Sequence, residues 1–388
     1  MKKNLIIFFG GRSCEHEISI ITAQQAIANA DREKYELYPV YIAPDGRWRY
    51  DRAFCRMSAF ADGGAGGKGA EVFLMPGSPV LYRRVRAGKV KALVKPDAAL
   101  LCMHGLNGED GALQGLLEMS GVPYTSCGLT ASAACMDKIA AKYLFKGLGL
   151  NTPEFAWFTA GEYEREPEAC LDRAEQAAGY PCVVKPANLG SSIGISVCRD
   201  RAGLRAAVAT AAAYDRRILV ERALTDFFEL NCSVLGIEND ATVSECERPS
   251  AWHEFLTFED KYLSGGGKKG AKGGMASLKR EFPAKIEPAL RASVRTAAAA
   301  VFRALNMKGV VRVDFMVDKN GGIVYINEVN TIPGSLSFYL WEGAGVSFKH
   351  LIDRLVYFAE CEYALKTALN YAYKTDVIRS AGKMTGKK

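Results

Sequence analysis

The stretch Gly309-Val310-Val311-Arg312-Val313-Asp314-Phe315, read with Val324-Tyr325-Ile326-Asn327-Glu328-Val329-Asn330-Thr331-Ile332-Pro333-Gly334, decides the reading of this chain. Both runs have the look of β-strands, in which residues two apart share a face. Arg312 and Asp314 therefore point one way, and so do Glu328 and Asn330. The opposite face (Val311, Val313 and Phe315; Tyr325, Asn327 and Val329) is largely apolar and expects burial. If the two strands pair, Asp314, Glu328 and Asn330 converge beside Arg312. Two carboxylates and an amide oxygen are hard ligands. They suit Mg²⁺, which usually completes its shell with water and substrate phosphates.

The bulk numbers permit such a site. A chain of 388 residues has two or three domains as its prior. Its apolar fraction of 49% and charged fraction of 24% are those of an ordinary globular protein. The net charge of +7 is spread over 83–95, 268–280 and 383–388, without aromatic residues interleaved for stacking on bases. It reads as solvated surface with some attraction for anionic substrates, and no nucleic-acid partner is expected. The 11 cysteines are scattered singly, with no CxxC pair, as free thiols in a reducing compartment are. The apolar run 5–9 after Lys2-Lys3 is too short for a signal peptide and ends at Gly10-Gly11-Arg12. No run approaches the ~20 apolar residues of a membrane helix. A cytoplasmic protein with no membrane partner is expected.

Along the chain, 5–9 reads as a buried strand, 18–30 as a helix, 35–42 and 98–103 as further strands, the pattern of a small parallel α/β unit. The Gly-rich run 63–69 faintly mimics a phosphate loop but lacks a Ser or Thr after Lys68 and a strand leading into it, so a surface loop is expected. A helix over about 131–148 follows, then strands near 182–185 and 218–221 with a helix at 201–213 between them. From about 225 a mixed sheet closed by helices at 286–305 and 348–373 is expected, with 379–388 as a frayed tail. The expected units are 1–135, 136–224 and 225–388.

Several constellations carry chemistry. In Val183-Val184-Lys185-Pro186-Ala187-Asn188-Leu189-Gly190-Ser191-Ser192-Ile193-Gly194 a buried strand delivers a lysine into a Gly-Ser loop. Its N–H groups and hydroxyls can donate to phosphate while Lys185 adds a point charge; a plain turn is the competing reading. Met136-Asp137-Lys138 places another lysine at a helix start. In Ile218-Leu219-Val220-Glu221-Arg222-Ala223-Leu224 a strand runs into a hinge, where Glu221 either accepts from an adenine amino group or pairs with Arg222. Gly10-Gly11-Arg12-Ser13-Cys14-Glu15-His16-Glu17-Ile18-Ser19 leaves N–H groups free at a helix start, a natural anion site. It is not GxGxxG, which disfavours a dinucleotide fold. Glu17 is either a ligand for an ammonium group or a first-turn helix stabiliser. His104, opening a Gly-rich loop, stands at a strand's C-terminal end, where α/β sites lie. The Gly- and Lys-rich run 265–274 has no conformation of its own and reads as a loop, or as a lid that orders on anionic ligands.

In order, GGRSCEHEIS (10–19), HGLNGEDGALQG (104–115), MDK (136–138), VVKPANLGSSIG (183–194), VER (220–222), EDKY (259–262), RVDF (312–315) and NEVNTIPG (327–334) resemble the ATP-grasp superfamily. More closely, they resemble the D-alanine–D-alanine ligase family, over nearly the whole chain. The resemblance implies an α/β (α+β) molecule of three domains, a small parallel N-terminal domain followed by two ATP-grasp domains with ATP between them. It implies a homodimer that joins two D-alanines through an acyl phosphate for peptidoglycan synthesis. By position, Lys138 and Lys185 would touch phosphates, with Ser191 and Ser192 in the phosphate loop. Glu221, Arg222, Ala223 and Leu224 would hold adenine and Glu229 the ribose. Phe255, Lys261, Asn327 and Glu328 would complete the nucleotide site. Asp314, Glu328 and Asn330 would bind two Mg²⁺, with Mn²⁺ a substitute. Glu17 would take the ammonium of the first amino acid, linked through Ser191 to Tyr262. Arg312 and the Gly334 N–H would hold the reacting carboxylate oxygen, and His104, Ser335 and Ser337 would complete the substrate site.

The chain departs from the family pattern in four places. One extra residue lies between Glu221 and Glu229, the lid is richer in Gly and Lys, Gly334 is followed by Ser335-Leu336-Ser337-Phe338-Tyr339-Leu340-Trp341-Glu342 where the family has a longer Ser-rich stretch, and the C-terminal extension is longer. The lid and the stretch after Gly334 bear on the acceptor, which this reading leaves open among D-alanine, D-serine, D-lactate and an L-amino acid.

Overall fold

The computed structural model describes residues 1–63, 68–85, 88–249, 280–371 and 378. The first sheet grows from β1 (Lys3–Gly10), buried from Leu5 onward because its residues are apolar on both faces. β2 (Tyr35–Ile42) pairs with it in parallel. β3 (Trp48–Tyr50), β4 (Ala70–Met75), β5 (Ser78–Arg84) and β6 (Val90–Val94) extend the sheet outward in antiparallel pairs. β7 (Ala98–Leu101) closes the other side, parallel to β1. The result is a seven-stranded mixed sheet in the order β6-β5-β4-β3-β2-β1-β7. The expected small parallel unit is thus only its inner part. The antiparallel arm escapes the sequence pattern because its strands are only partly buried and carry no steady apolar alternation, as in Tyr82-Arg83-Arg84. Helix His16–Asn29 lies on this sheet, where the buried Ser19 hydroxyl accepts from Gly10 N (2.8 Å) and donates to Cys102 O (2.6 Å).

The expected helix over 131–148 is two helices, Leu129–Met136 and Lys138–Gly147, broken at Asp137. Asp137 adopts extended backbone and its carboxylate accepts from Ile139 N and Ala140 N, both at 3.0 Å, so an N-cap starts the second helix and fixes Lys138 at its first position.

β8 (Phe155–Thr159), β9 (Cys182–Pro186), β10 (Ser196–Cys198) and β11 (Arg217–Arg222) form an antiparallel sheet ordered β10-β9-β11-β8. Helices Pro167–Ala178 and Arg201–Ala212 cover one face through Leu171, Leu204 and Val208, packed against Val184, Ile218 and Val220. The alternate residues Lys185, Leu219 and Glu221 face the other way, where Ile139 of helix Lys138–Gly147 packs on Leu219.

β12 (Phe227–Ile237), β13 (Asp240–Val243), the short pair β14 (Arg248–Pro249) and β15 (Arg280–Glu281), β16 (Lys308–Asp318) and β17 (Val324–Asn330) follow. The third sheet is antiparallel, ordered β13-β12-β16-β17. Helix Pro288–Ala304 buries Val294, Ala298 and Phe302 against Val311, Val313 and Phe315. The last helix, Phe348–Thr367, returns to the first sheet, so that Leu351, Ile352 and Leu355 share one core with Leu5 and Leu100. Among the described residues, no helix is long and apolar enough to cross a membrane. All 11 cysteines are free thiols. The lid segment 265–274 and the tail 379–388 lie outside the described residues.

Candidate functional site

β16 and β17 pair with Arg312 opposite Asn330 and Asp314 opposite Glu328, which brings the four polar residues together as their spacing predicts. Arg312 donates a fork to Asp314, Nε to Oδ1 at 2.6 Å and Nη2 to Oδ2 at 2.7 Å. Asn330 Nδ2 adds a bond to Asp314 Oδ2 at 3.0 Å. The apolar face differs from expectation. The register slips after Asp314, with Phe315 facing Ile326, so Asn327 is the extra residue of a β-bulge. Ile326 enters the core in its place. Asn327 turns toward the polar side, and its Oδ1 accepts from Lys185 Nζ at 3.4 Å.

The residues present fit a hard divalent cation. Among the described residues no three His, Cys, Asp or Glu side chains cluster as metal ligands. The oxygen set is instead two carboxylates, Asp314 and Glu328, and the Asn330 amide. Such a sparse set suits Mg²⁺, which keeps several waters and takes phosphate oxygens.

The two lysines find different partners. Lys138 Nζ donates to Leu189 O at 2.5 Å, reaching into the β9–β10 loop. Lys185 pairs with Glu221 Oε1 at 2.6 Å, and the buried Lys142 pairs with Glu221 Oε2 at 2.5 Å. Glu221 is therefore an internal counter-ion, neither turned out toward an adenine ring nor paired with the exposed Arg222. Its pKa is reduced to about 2: burial opposes ionisation, but Lys142 and Lys185 overcome it. The sequence reading missed Lys142. Its signal was position, four residues after Lys138 on a helix, hence on the same face. In the hinge, Arg222 N and Ala223 N donate to Glu154 O (2.9 Å) and Pro181 O (3.0 Å), so neither N–H is turned outward. Leu224 is half-buried, and so is Glu229 on β12 opposite Met316.

Ser191 and Ser192 both hold left-handed backbone, φ 55° and 60°. Consecutive N–H groups in such a turn form a concave donor surface for anions. Asn188 anchors the loop through Asp215 Oδ2, from N at 2.7 Å and Nδ2 at 3.0 Å. Ser191 Oγ donates to Glu15 Oε1. A Cβ at Gly190 would lie 2.5 Å from Glu15 Oε2, so any side chain there would force the Glu15 carboxylate to shift.

The acid that meets Ser191 is Glu15, and this corrects the reading of Glu17. Helix His16–Asn29 begins just after Glu15. Glu15, Ser19 and Thr22 stand at i, i+4 and i+7, on the buried face, while two residues further round the turn Glu17 is exposed. Thr22 Oγ1 accepts from Ser335 N at 3.2 Å and lies 2.9 Å from His104 Nε2. His104 is buried in the same wall, and burial holds its pKa down to about 4, so the ring is neutral at pH 7. Glu109, also missed, joins this wall and accepts from Gly105 N at 2.8 Å. Desolvation and the neighbouring Glu15 carboxylate push its pKa up.

Gly334 lines the cavity, but Ser335 and Ser337 do not. After Gly334 the chain runs through three left-handed residues, Ser335, Leu336 and Ser337 (φ 54°, 52° and 49°), which turns both serines inward. Tyr339, beyond them, is half-buried, with the Arg280 guanidinium 3.8 Å from its ring centroid. Phe255, Lys261 and Tyr262 lie outside the described residues.

One cavity joins these parts. Arg312, Glu328, Asn330 and Gly334 form one wall, Lys138, Gly190 and Ser191 another, Glu15, His104 and Glu109 the third. It offers the carboxylates of Glu15, Glu109 and Glu328 to cations, and the Arg312 guanidinium, Lys138 and the Gly190–Ser191 loop to anions. That is a site for a zwitterion next to a phosphate.

Comparisons with known proteins point the same way. Residues 4–127 match the family model described as D-ala D-ala ligase N-terminus, and 144–357 the one described as D-ala D-ala ligase C-terminus. A D-alanine–D-alanine ligase of Thermosipho melanesiensis is 38% identical over 358 residues, 91% of this chain and 92% of that protein. One of Thermoanaerobacter sp. is 39% identical over 362 residues, 92% and 96%. Among solved structures, the VanG D-Ala:D-Ser ligase from Enterococcus faecalis superposes with a TM-score of 0.77 at 28% identity, covering 92% of this chain and 100% of that one. The D-alanine–D-alanine ligase from Helicobacter pylori superposes with 0.73 at 25%, covering 92% and 98%.

Proposed function

This chain belongs to the D-alanine–D-alanine ligase family, and we propose that it joins two D-alanines with ATP in the cavity between Glu15, Ser191 and Arg312. The products are D-alanyl-D-alanine, ADP and phosphate. The observation that carries this reading is the Arg312–Asp314 fork with Glu328 and Asn330, facing Glu15 and Ser191 across one cavity.

A carboxylate is a poor electrophile. Transfer of the ATP γ-phosphoryl group to a carboxylate oxygen of the first D-alanine makes an acyl phosphate. The amine of the second attacks its carbonyl carbon, phosphate leaves, and the nitrogen gives up a proton. Glu15, held by Ser191, takes the first ammonium. Arg312 and the Gly334 N–H hold the oxygen on which negative charge develops, each well-placed donor contributing roughly 3–4 kcal/mol. Lys138, Lys185 and the Ser191–Ser192 turn take the phosphates, with the base at the hinge 222–224 and Glu229 on the ribose. Lys142 and Glu221 position Lys185. Phe255 and Lys261 would approach the nucleotide, and Tyr262 the Ser191 hydroxyl. Asp314, Glu328 and Asn330 would hold two Mg²⁺, or Mn²⁺ in their place, supplying charge neutralisation at the phosphoryl oxygens. We take 1–135, 136–224 and 225–388 as the working units and the enzyme as a cytoplasmic homodimer whose dipeptide serves peptidoglycan synthesis. The free thiols support a reducing compartment.

The test is phosphate release from ATP and Mg²⁺ with D-alanine alone, the product identified by mass. Dipeptide from D-alanine alone is expected. Release only with added D-lactate, D-serine or an L-amino acid would move the acceptor assignment, and silence throughout would overturn the reading.

Glu15 and Glu17 separate in kinetics. Glu15→Gln removes a charge-assisted contact of ~1.5–3 kcal/mol, so KM for the first D-alanine is expected to rise roughly 10- to 100-fold. Glu17→Gln, on the exposed face, is expected to leave it unchanged. Equal effects would return the ammonium site to the surface.

A further inference from the structure

Away from this site, the end of helix Ala112–Ser120, the loop after it and the last turns of helix Phe348–Thr367 enclose a cavity of about 290 Å³. Lys308, the first residue of β16, points into it and is only 4% exposed. Its ammonium lies 3.9 Å from the Tyr124 ring centroid. Among the described residues it has no ion pair and no hydrogen-bond acceptor. Two acids, Glu118 and Glu362, also line the cavity, and both are engaged by Lys366. Glu118 accepts from Tyr124 Oη at 2.7 Å and from Lys366 Nζ at 2.5 Å, and Glu362 pairs with Lys366 at 3.2 Å. What faces the cavity without an acceptor is therefore a cation, beside the apolar surfaces of Val122, Tyr124, Ala359 and Tyr363.

We propose that this cavity binds a small organic anion, a carboxylate with an apolar body, its oxygens on Lys308 and its body against Tyr124 and Tyr363. A buried ammonium gains most from a ligand that supplies acceptors and charge together. The volume suits a small acid. Burial holds the Lys308 pKa down to about 8, and an arriving carboxylate would raise it. None of these residues belongs to the ligase site, so occupancy there and here are separate events.

The test is calorimetric titration of the full chain with benzoate and isobutyrate against their neutral amides, benzamide and isobutyramide. Carboxylates are expected to bind and amides not. In Lys308→Met, carboxylate affinity is expected to fall roughly tenfold or more, the weight of one ion pair, with ligase turnover unchanged as proof of folding. Tyr363→Ala, at a 38% exposed position, is a second variant and is expected to weaken benzoate more than isobutyrate. Equal binding of acids and amides, no binding of either, or wild-type affinity in Lys308→Met (as at Arg312 instead) would each overturn the proposal.

Discussion

Replacing Glu328 with glutamine is expected to lower kcat by roughly a thousandfold or more while the melting temperature stays near that of the wild type. Glutamine keeps the shape and the strand pairing opposite Asp314 and removes one negative charge from the mouth of the cavity. A cation held by two carboxylates and an amide loses half of its protein charge, and the phosphoryl oxygens lose part of their neutralisation. Several kcal/mol at the transition state correspond to the stated loss, at about 1.4 kcal/mol per tenfold. The measurement is turnover at saturating ATP and D-alanine, repeated over a series of Mg²⁺ concentrations. The apparent Mg²⁺ requirement is expected to shift upward. Turnover like the wild type, or a loss insensitive to metal, would remove Glu328 from the cation set.

Arg312→Met is expected to be as damaging to catalysis and, unlike Glu328→Gln, damaging to the fold. Loss of one donor to a developing oxyanion costs about 10²–10³ in kcat. Removing one partner of a buried ion pair costs about 3–5 kcal/mol more, because Asp314 keeps its charge and loses both bonds of the fork. Among the described residues Asn330 alone remains on it. Glu247, buried beside this pair and already pushed toward protonation by burial, would lose part of the positive field that Arg280 and Arg312 supply. The double variant Arg312→Met, Asp314→Leu separates the two effects. It should recover much of the stability and none of the turnover. Recovery of turnover would show that the arginine acts only by holding the fold.

The strand pair that opens the sequence illustrates how far local pattern reaches. Period-two alternation is a backbone property, so the shared face of Arg312, Asp314, Glu328 and Asn330 could be read without knowing what lies opposite. The helices on either side of the central strands could be read in the same way, from spacing. The places of Lys138 at a helix start and Lys185 near a strand end were legible because each closes a local signal.

Phase and register were not legible. Whether Glu15 or Glu17 faces the cavity depends on where the helix begins and which side the sheet covers, and two residues on a helix are about 200° apart. The bulge that exchanges Asn327 for Ile326 arises from fitting β17 to β16 and to the core beneath them. Glu221 turned inward because Lys142, 79 residues earlier, meets it from a helix on the other side of the sheet. Ser335 and Ser337 turned inward because the chain after Gly334 coils left-handed over Thr22. The sequence by itself determined which residue types the cavity could draw on, carboxylates, an arginine, a lysine and a Gly-Ser loop, since that chemistry is written in short motifs. Only the tertiary structure decided which copy of each type reaches the cavity, because that depends on packing between elements far apart in the chain.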